Sequence, residues 1–309
     1  MGRGMRGLRS ASMRIGVDLG GTKIEAIAIG RNRREIVRRR VVAPRGSYRA
    51  TLTAIVELIR EVENQIGEQS SVGIGIPGAI SPVTGLVKNA NSTWLNGQPL
   101  ADDLPRLLSR PVRFANDANC FALSETTDGA AAGAGVVFGV IVGTGTGGGV
   151  VVDRRVLVGA NAIAGEWGHN ALPLPEDDER PGPACYCGRF GCIENFLSGP
   201  AFEREYARSG QKMAAAEIVV RAHGQDGIAR ACLDRYVDRM ARSLASVINL
   251  LDPEVIVLGG GLSNIDELYS AVPLRWGRYV FSDRVNTRLV RAMHGDSSGV
   301  RGAAWLWDE

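Results

Sequence analysis

The chain has 309 residues, 45% hydrophobic and 22% charged, with a formal net charge of +3. That length can bury a large core and predicts two lobes. The weak charge argues against a nucleic-acid partner, and no apolar run reaches the roughly 18 residues that span a membrane. Five cysteines, an odd number with three of them clustered, do not suggest a disulfide framework and fit a reducing cytoplasm.

Residues 1–12 carry Arg3, Arg6 and Arg9 without an apolar h-region and read as a disordered basic tail. Residues 14–18 form a buried strand that breaks into Gly20 and Gly21, and residues 24–29 and 34–42 read as two more strands. Residues 48–65 have helical periodicity through Leu52, Ile55, Val56 and Ile59. A strand at 72–76 ends in Pro77-Gly78, and residues 81–100 are loop-rich, with Asn91, Trp94 and Asn96. A short strand at 112–115 delivers Asn116, Asp117 and a helix through Cys120 and Leu123.

A similar order then begins again. A strand at 135–142 ends in the glycine run 143–149, with strands expected at 150–153 and 156–159. Helices are expected at 201–209, 214–223 and 228–251, then a strand at 255–258 breaking into Gly259, Gly260 and Gly261. A closing helix carries Trp305 and Trp307. Two strand–glycine-loop–strand units suggest related lobes.

Glycine at a strand end lets backbone N–H groups turn toward an anion. Three such clusters point to a polyphosphate held from several sides. Gly143, Gly145 and Gly148 match a dinucleotide fingerprint formally, but a strand follows where that pattern needs a helix. Gly16 and Gly21 have P-loop spacing, yet Thr22-Lys23 reverses the required order. Lys23 is one of only three lysines. Asp18 can organise Mg²⁺ through water, and Lys23 can meet a phosphate.

Asn116-Asp117 at a strand-to-helix junction has two readings of similar weight. One is an Asx-type helix cap. The other makes Asp117 a general base for a substrate hydroxyl in phosphoryl transfer.

His169, Cys185, Cys187 and Cys192 are four of the chain's eight histidines and cysteines. Their His-x15-Cys-x-Cys-x4-Cys spacing predicts a closed, structural zinc shell. Glu166 and Glu194 flank it. The acidic, proline-rich loop 173–183 is expected to be mobile and exposed. His169 is expected to give one ring nitrogen to zinc and turn the other toward a ligand hydroxyl.

Asp18-Leu-Gly-Gly-Thr-Lys23, the Glu166-x-Gly168-His169 box and the Cys185-x-Cys187-Gly-x-x-Gly-Cys192-x-Glu194 box resemble the ROK family of sugar kinases and sugar-responsive repressors. The resemblance covers nearly the whole chain from Met13. Residues 75–82, 87–99, 116–120 and 294–307 look closest to fructokinases of the manno(fructo)kinase type. It implies a duplicated actin-like, hexokinase-like (RNase H-like) α/β ATPase fold of two lobes with an interlobe cleft. The small lobe would be 13–116 with helix 298–309, and the large lobe 117–297 with the zinc segment 165–194.

It assigns Asp18, Gly20, Gly21, Thr22, Lys23, Gly143, Thr144, Gly145, Thr146 and Gly147 to ATP phosphates, and Gly259, Gly260 and Gly261 to its adenosine side. Asp117 becomes the base, with Gly78, Asn91, Asn116, Glu166, His169 and Glu194 around the sugar. The implied activity is ATP- and Mg²⁺-dependent fructose phosphorylation, with mannose as a second substrate. Glucose or an amino sugar is the alternative acceptor, and a homodimer is expected. A repressor reading would need a DNA-binding domain ahead of the first strand, where only about a dozen residues stand.

Overall fold

The two strand–glycine-loop units become two five-stranded sheets in the computed structural model, which describes residues 13–295 and 298–307. The tail at 1–12 lies outside the described residues. In chain order come β1 (Arg14–Leu19), β2 (Lys23–Ile29), β3 (Glu35–Val42), α1 (Tyr48–Ile66), β4 (Ser71–Ile76), β5 (Ala79–Ile80), β6 (Val87–Lys88), α2 (Leu100–Leu108), β7 (Val112–Asn116) and α3 (Asp117–Thr127). There follow β8 (Val136–Val142), β9 (Thr146–Val152), β10 (Arg155–Val156), α4 (Glu194–Leu197), α5 (Gly199–Ala207), α6 (Ala215–Ala222) and α7 (Gly227–Leu251). The chain ends through β11 (Val255–Gly259), α8 (Leu268–Trp276), β12 (Arg288–Arg291) and α9 (Ser298–Trp305).

Two compact units result. Of the described residues, one holds those up to Ser124, Ala160–Ala162 and those from Gly299; the other holds those of Glu125–Gly159 and Ile163–Ser298. The division therefore falls inside α3, some eight residues beyond the lobe boundary expected at 116–117.

The first unit's sheet runs β3-β2-β1-β4-β7, with β4 parallel to β1 and β7. One face is apolar. Ile15, Val17, Ile24 and Ala26 pack there with Ile55, Ile59 and Val62 of α1, all fully buried. Each such side chain contributes about 1.5–3 kcal/mol on burial. Ser47 Oγ caps α1 by accepting the Ala50 N–H at 3.2 Å, and Gly67 ends it in the left-handed region. The other face carries Gly16 and Gly73, where a Cβ would collide with the carbonyl oxygens of Val300 and Ala303. Bare glycine lets α9 lie directly on the strands.

The second unit's sheet runs β10-β9-β8-β11-β12. Its core joins Val140, Val142, Ile256 and Leu258 to Tyr236, Met240 and Leu244 of α7. The glycine run was expected to be loop throughout, but β9 begins inside it: Thr146 pairs with Val142 and Gly147 with Ile141. The strand expected at 156–159 shrinks to the two residues of β10. Buried Glu125 accepts N–H groups from Ala130 and Met293 at 2.9 Å and the Ser298 hydroxyl at 2.7 Å. Four-fold solvation by donors, with His294 N–H at 3.2 Å, satisfies a carboxylate without a cation.

Candidate functional site

In the first unit, strand pairing sets the site. Asp18 on β1 lies opposite Glu25 on β2, which lies opposite Arg40 on β3. Direct partners point to one face, so three charged side chains stand in a row. Glu25 is buried and holds Arg40 at 2.7 Å, Arg38 closely, and Lys23 Nζ at 3.7 Å. The turn between β1 and β2 is pinned from the segment that follows β3: Arg45 Nε donates to the Gly21 carbonyl at 3.1 Å and Ala43 N–H to the Thr22 carbonyl at 3.0 Å.

Burial, and then the charges of Asp117 and Glu25, push Asp18 up to about 7, with Lys23 pulling the other way. The protein therefore concentrates negative charge at Asp18 and Asp117 beyond what Lys23 balances. A divalent cation fits that imbalance.

Asn116 and Asp117 close β7 and open α3. Both readings of this junction find something in the geometry. Asn116 Oδ1 and Asp117 Oδ1 accept the Ala118 N–H at 2.9 and 2.8 Å, which is capping. Asn116 Nδ2 also donates to the Gly78 carbonyl at 3.0 Å, fixing the chain after β4 beside Asp117. Asn91 is exposed on a neighbouring turn. Asn96 is occupied in shaping that turn, bonding the Ala90 N–H at 2.8 Å and carbonyl at 2.9 Å. Trp94 Nε1 donates to Thr51 at 3.3 Å. These two residues hold the loop that presents Asn91.

In the second unit a cavity of about 670 Å³ is lined by Gly143, Thr144, Gly261, Leu262 and Ile265 from the strand ends and by Pro200 and Val219 from the helices. Two of the three glycine clusters thus converge on one concavity of ligand size. The helical wall from α5 and α6 carried no motif. Gly145, Thr146 and Gly147 serve differently. Gly147 accepts Trp167 Nε1–H at 3.0 Å, and a Cβ on Gly148 would meet Trp167 and the Gly165 carbonyl at 2.8 Å. The glycines of β9 make room for the segment Gly165–Gly168.

His169, Cys185, Cys187 and Cys192 come together, their ligand atoms all within 4.8 Å of one another. His169 Nδ1 is 3.5 Å from Cys185 Sγ, and Cys187 Sγ is 3.6 Å from Cys192 Sγ. A tetrahedron with metal–sulfur bonds of about 2.3 Å has edges of about 3.8 Å, so the cluster fits Zn²⁺. Burial and the neighbouring thiols push Cys192 up to about 12. Three thiolates would need a cation to coexist there, a charge that Zn²⁺ would supply. His169 Nε2, expected to face a ligand hydroxyl, meets Tyr186 Oη at 2.8 Å instead.

Glu194 Oε2 accepts the Thr146 N–H at 2.9 Å, and Glu166 is exposed at the other end of the segment. The loop 173–183 is not free: Glu179 in it is buried against Arg239 and Arg242. Glu176, Asp177 and Asp178 are exposed as the acidic sequence suggests, and Glu179 departs from it by turning inward to arginines.

These features are those of a two-unit α/β phosphotransferase with a metal knuckle. The model of the ROK family matches residues 14–309, and the chain belongs to that family as one of its sugar kinases. It is 42% identical over 299 residues to an N-acetyl-D-glucosamine kinase of Pectobacterium atrosepticum, covering 95% of this chain and 98% of that one. A ROK hexokinase structure from Thermus thermophilus superposes with a TM-score of 0.84 at 32% identity, over 95% of this chain and 97% of the other. A ROK glucokinase from Streptomyces griseus, solved with glucose and AMPPNP, gives 0.75 at 26%, over 95% and 98%. The fold expected from the resemblance is thereby confirmed. The fructokinase type finds no support among these relatives.

No helix among the described residues is long and apolar enough to cross a membrane.

Proposed function

We propose that the protein phosphorylates N-acetyl-D-glucosamine at a primary hydroxyl, using MgATP. The observation that carries the acceptor is the 42% identity, nearly end to end, with a kinase of that name. Phosphoryl transfer asks mainly for positioning and charge. Asp117 accepts the hydroxyl proton. The sugar oxygen forms its bond to the γ-phosphorus as the bond to the β-phosphate oxygen breaks, leaving ADP.

Lys23 and the turn Gly20–Thr22 take phosphate oxygens, and the cavity at Thr144 and Gly261 takes the adenosine. Mg²⁺, when bound near Asp18, supplies positive charge to the phosphates. Gly78, Asn91 and Asn116 in the first unit, and Glu166 and Glu194 in the second, are the sugar ligands the family implies, while His169, also implied, is taken up by Tyr186 and the metal cluster. Zinc at His169, Cys185, Cys187 and Cys192 is structural, with all four positions filled by protein.

A coupled ADP assay with N-acetylglucosamine, glucose, mannose and fructose tests this. The highest kcat/KM belongs to N-acetylglucosamine. A higher value for fructose restores the fructokinase reading, and no ADP release with any sugar sinks the kinase.

A further inference from the structure

The loop 173–183 leads directly into Cys185 and has no part in the chemistry above. It is held by one face of α7. Glu179 is 5% exposed and accepts from Arg239 Nε at 2.7 Å and Arg242 Nη2 at 3.0 Å, while both arginines are 3% exposed. Arg235 sits four residues before Arg239 and holds Asp178 at 2.9 Å. The spacing i, i+4, i+7 aligns the three arginines on one stripe. Arg242 also donates to the Pro173 carbonyl at 3.1 Å and to that of Leu174.

The same stripe reaches the far end of the metal segment. The Arg239 guanidinium lies 5.0 Å over the ring of Phe196 in α4, the helix that begins at Glu194. Between these anchors the backbone folds on itself. A Cβ on Gly182 would stand 2.6 Å from Gly191 Cα, and Gly191 N–H donates to the Pro183 carbonyl at 3.0 Å. Gly191 precedes Cys192. A buried charge cluster adds little net stability, but any arrangement that strands one partner is strongly disfavoured. It therefore selects one loop conformation.

We propose that Glu179, Arg239 and Arg242 form a positioning clamp for the zinc segment. The clamp presets the spacing of Cys185, Cys187 and Cys192 and, through α4, the orientation of Glu194. None of the three touches metal or sugar; each acts through backbone it holds. This rests on reading the four ligands as a zinc site, which the zinc content of the unaltered protein tests separately.

The decisive measurement is zinc release from the loaded full-length chain into excess 4-(2-pyridylazo)resorcinol, followed by absorbance. Glu179→Gln releases zinc at least ten-fold faster, with an unchanged far-UV spectrum. Its sugar KM and ATP KM both rise several-fold, because the Glu194 it orients also holds the Thr146 N–H. Arg239→Lys, which keeps the charge but not the planar fork, falls between. Release from a folded Glu179→Gln within two-fold of the unaltered rate overturns the clamp, as does an unchanged sugar KM. If Glu179→Gln does not fold, Asp178→Asn serves, since that carboxylate is half exposed. It speeds release two- to five-fold, and an unchanged rate overturns the proposal.

Discussion

The Glu194 carboxylate accepts the backbone N–H of Thr146 at 2.9 Å, so the residue that follows the last cysteine by two positions supports the turn at Gly143–Gly145. The metal segment and the glycine turn are thus one mechanical piece. A hydrogen bond to a charged acceptor contributes about 1.5–3 kcal/mol. Glu194→Ala should therefore lower kcat/KM for both sugar and ATP by about 10- to 100-fold. Steady-state kinetics with each substrate varied in turn checks this, and a loss confined to the sugar would assign Glu194 to the acceptor alone.

Asp117→Asn keeps the cap on Ala118 N–H through its remaining amide oxygen but cannot take a proton. Turnover should fall by about 10²- to 10⁴-fold. Thermal midpoint and zinc content stay at the level of the unaltered protein. Retention of more than a tenth of kcat would leave the capping role as the whole explanation.

Asp18 predicts a pH dependence of stability. Its carboxyl, usually near 3.8, sits at about 7 in the folded protein, so the folded state binds its proton more tightly than the unfolded chain does. The stability this gives is complete below about pH 4 and lost as pH rises toward 7. Asp18→Asn removes the penalty. The nucleotide-free variant should melt a few degrees above the parent at pH 8, by an effect of order 1–2 kcal/mol, while losing most activity. Equal melting temperatures at pH 8 and pH 5 for parent and variant alike would show that Asp18 is not strained there.

Cys192→Ser should abolish stoichiometric zinc and lower the thermal midpoint, because the segment then lacks the ion that balances its thiols. Cys232→Ser is the control: this buried thiol lies outside the cluster, and zinc content by plasma emission should be unaffected. Zinc lost from both would remove the four-ligand assignment.

Gly73→Ala tests the packing of α9. The added Cβ meets the Ala303 carbonyl, which as helix backbone cannot step aside. A cost of about 3 kcal/mol or failure to fold is expected. A melting temperature within a degree of the parent would contradict the close approach.

Much of this was legible in the sequence where periodicity is strong. β1 to β4 and α1 fall within a residue or two of expectation because alternation and the 3–4 spacing of Leu52, Ile55 and Ile59 are unambiguous. The first half of β9 was hidden because Gly147, Gly148 and Gly149 have no strand propensity; their place in the ladder goes with the close approach of Trp167. The cluster of His169 with the three cysteines was readable because only spacing is needed to see it. The partner of His169 Nε2 was not, since Tyr186 sits in the same segment without any rule that aims its hydroxyl. The grip on Glu179 comes from arginines some sixty positions later, beyond the range of local pattern.

The helix laid across Gly16 and Gly73 has a consequence for how the protein is made. A ribosome delivers β1 and β2 long before α9, with the whole second unit between them. Until then one face of that sheet lacks its cover, and Asp18 lacks Gly299, whose Cβ position lies 3.8 Å from its carboxyl carbon. The nascent first unit must wait, half finished, while the whole second unit is made before it can close.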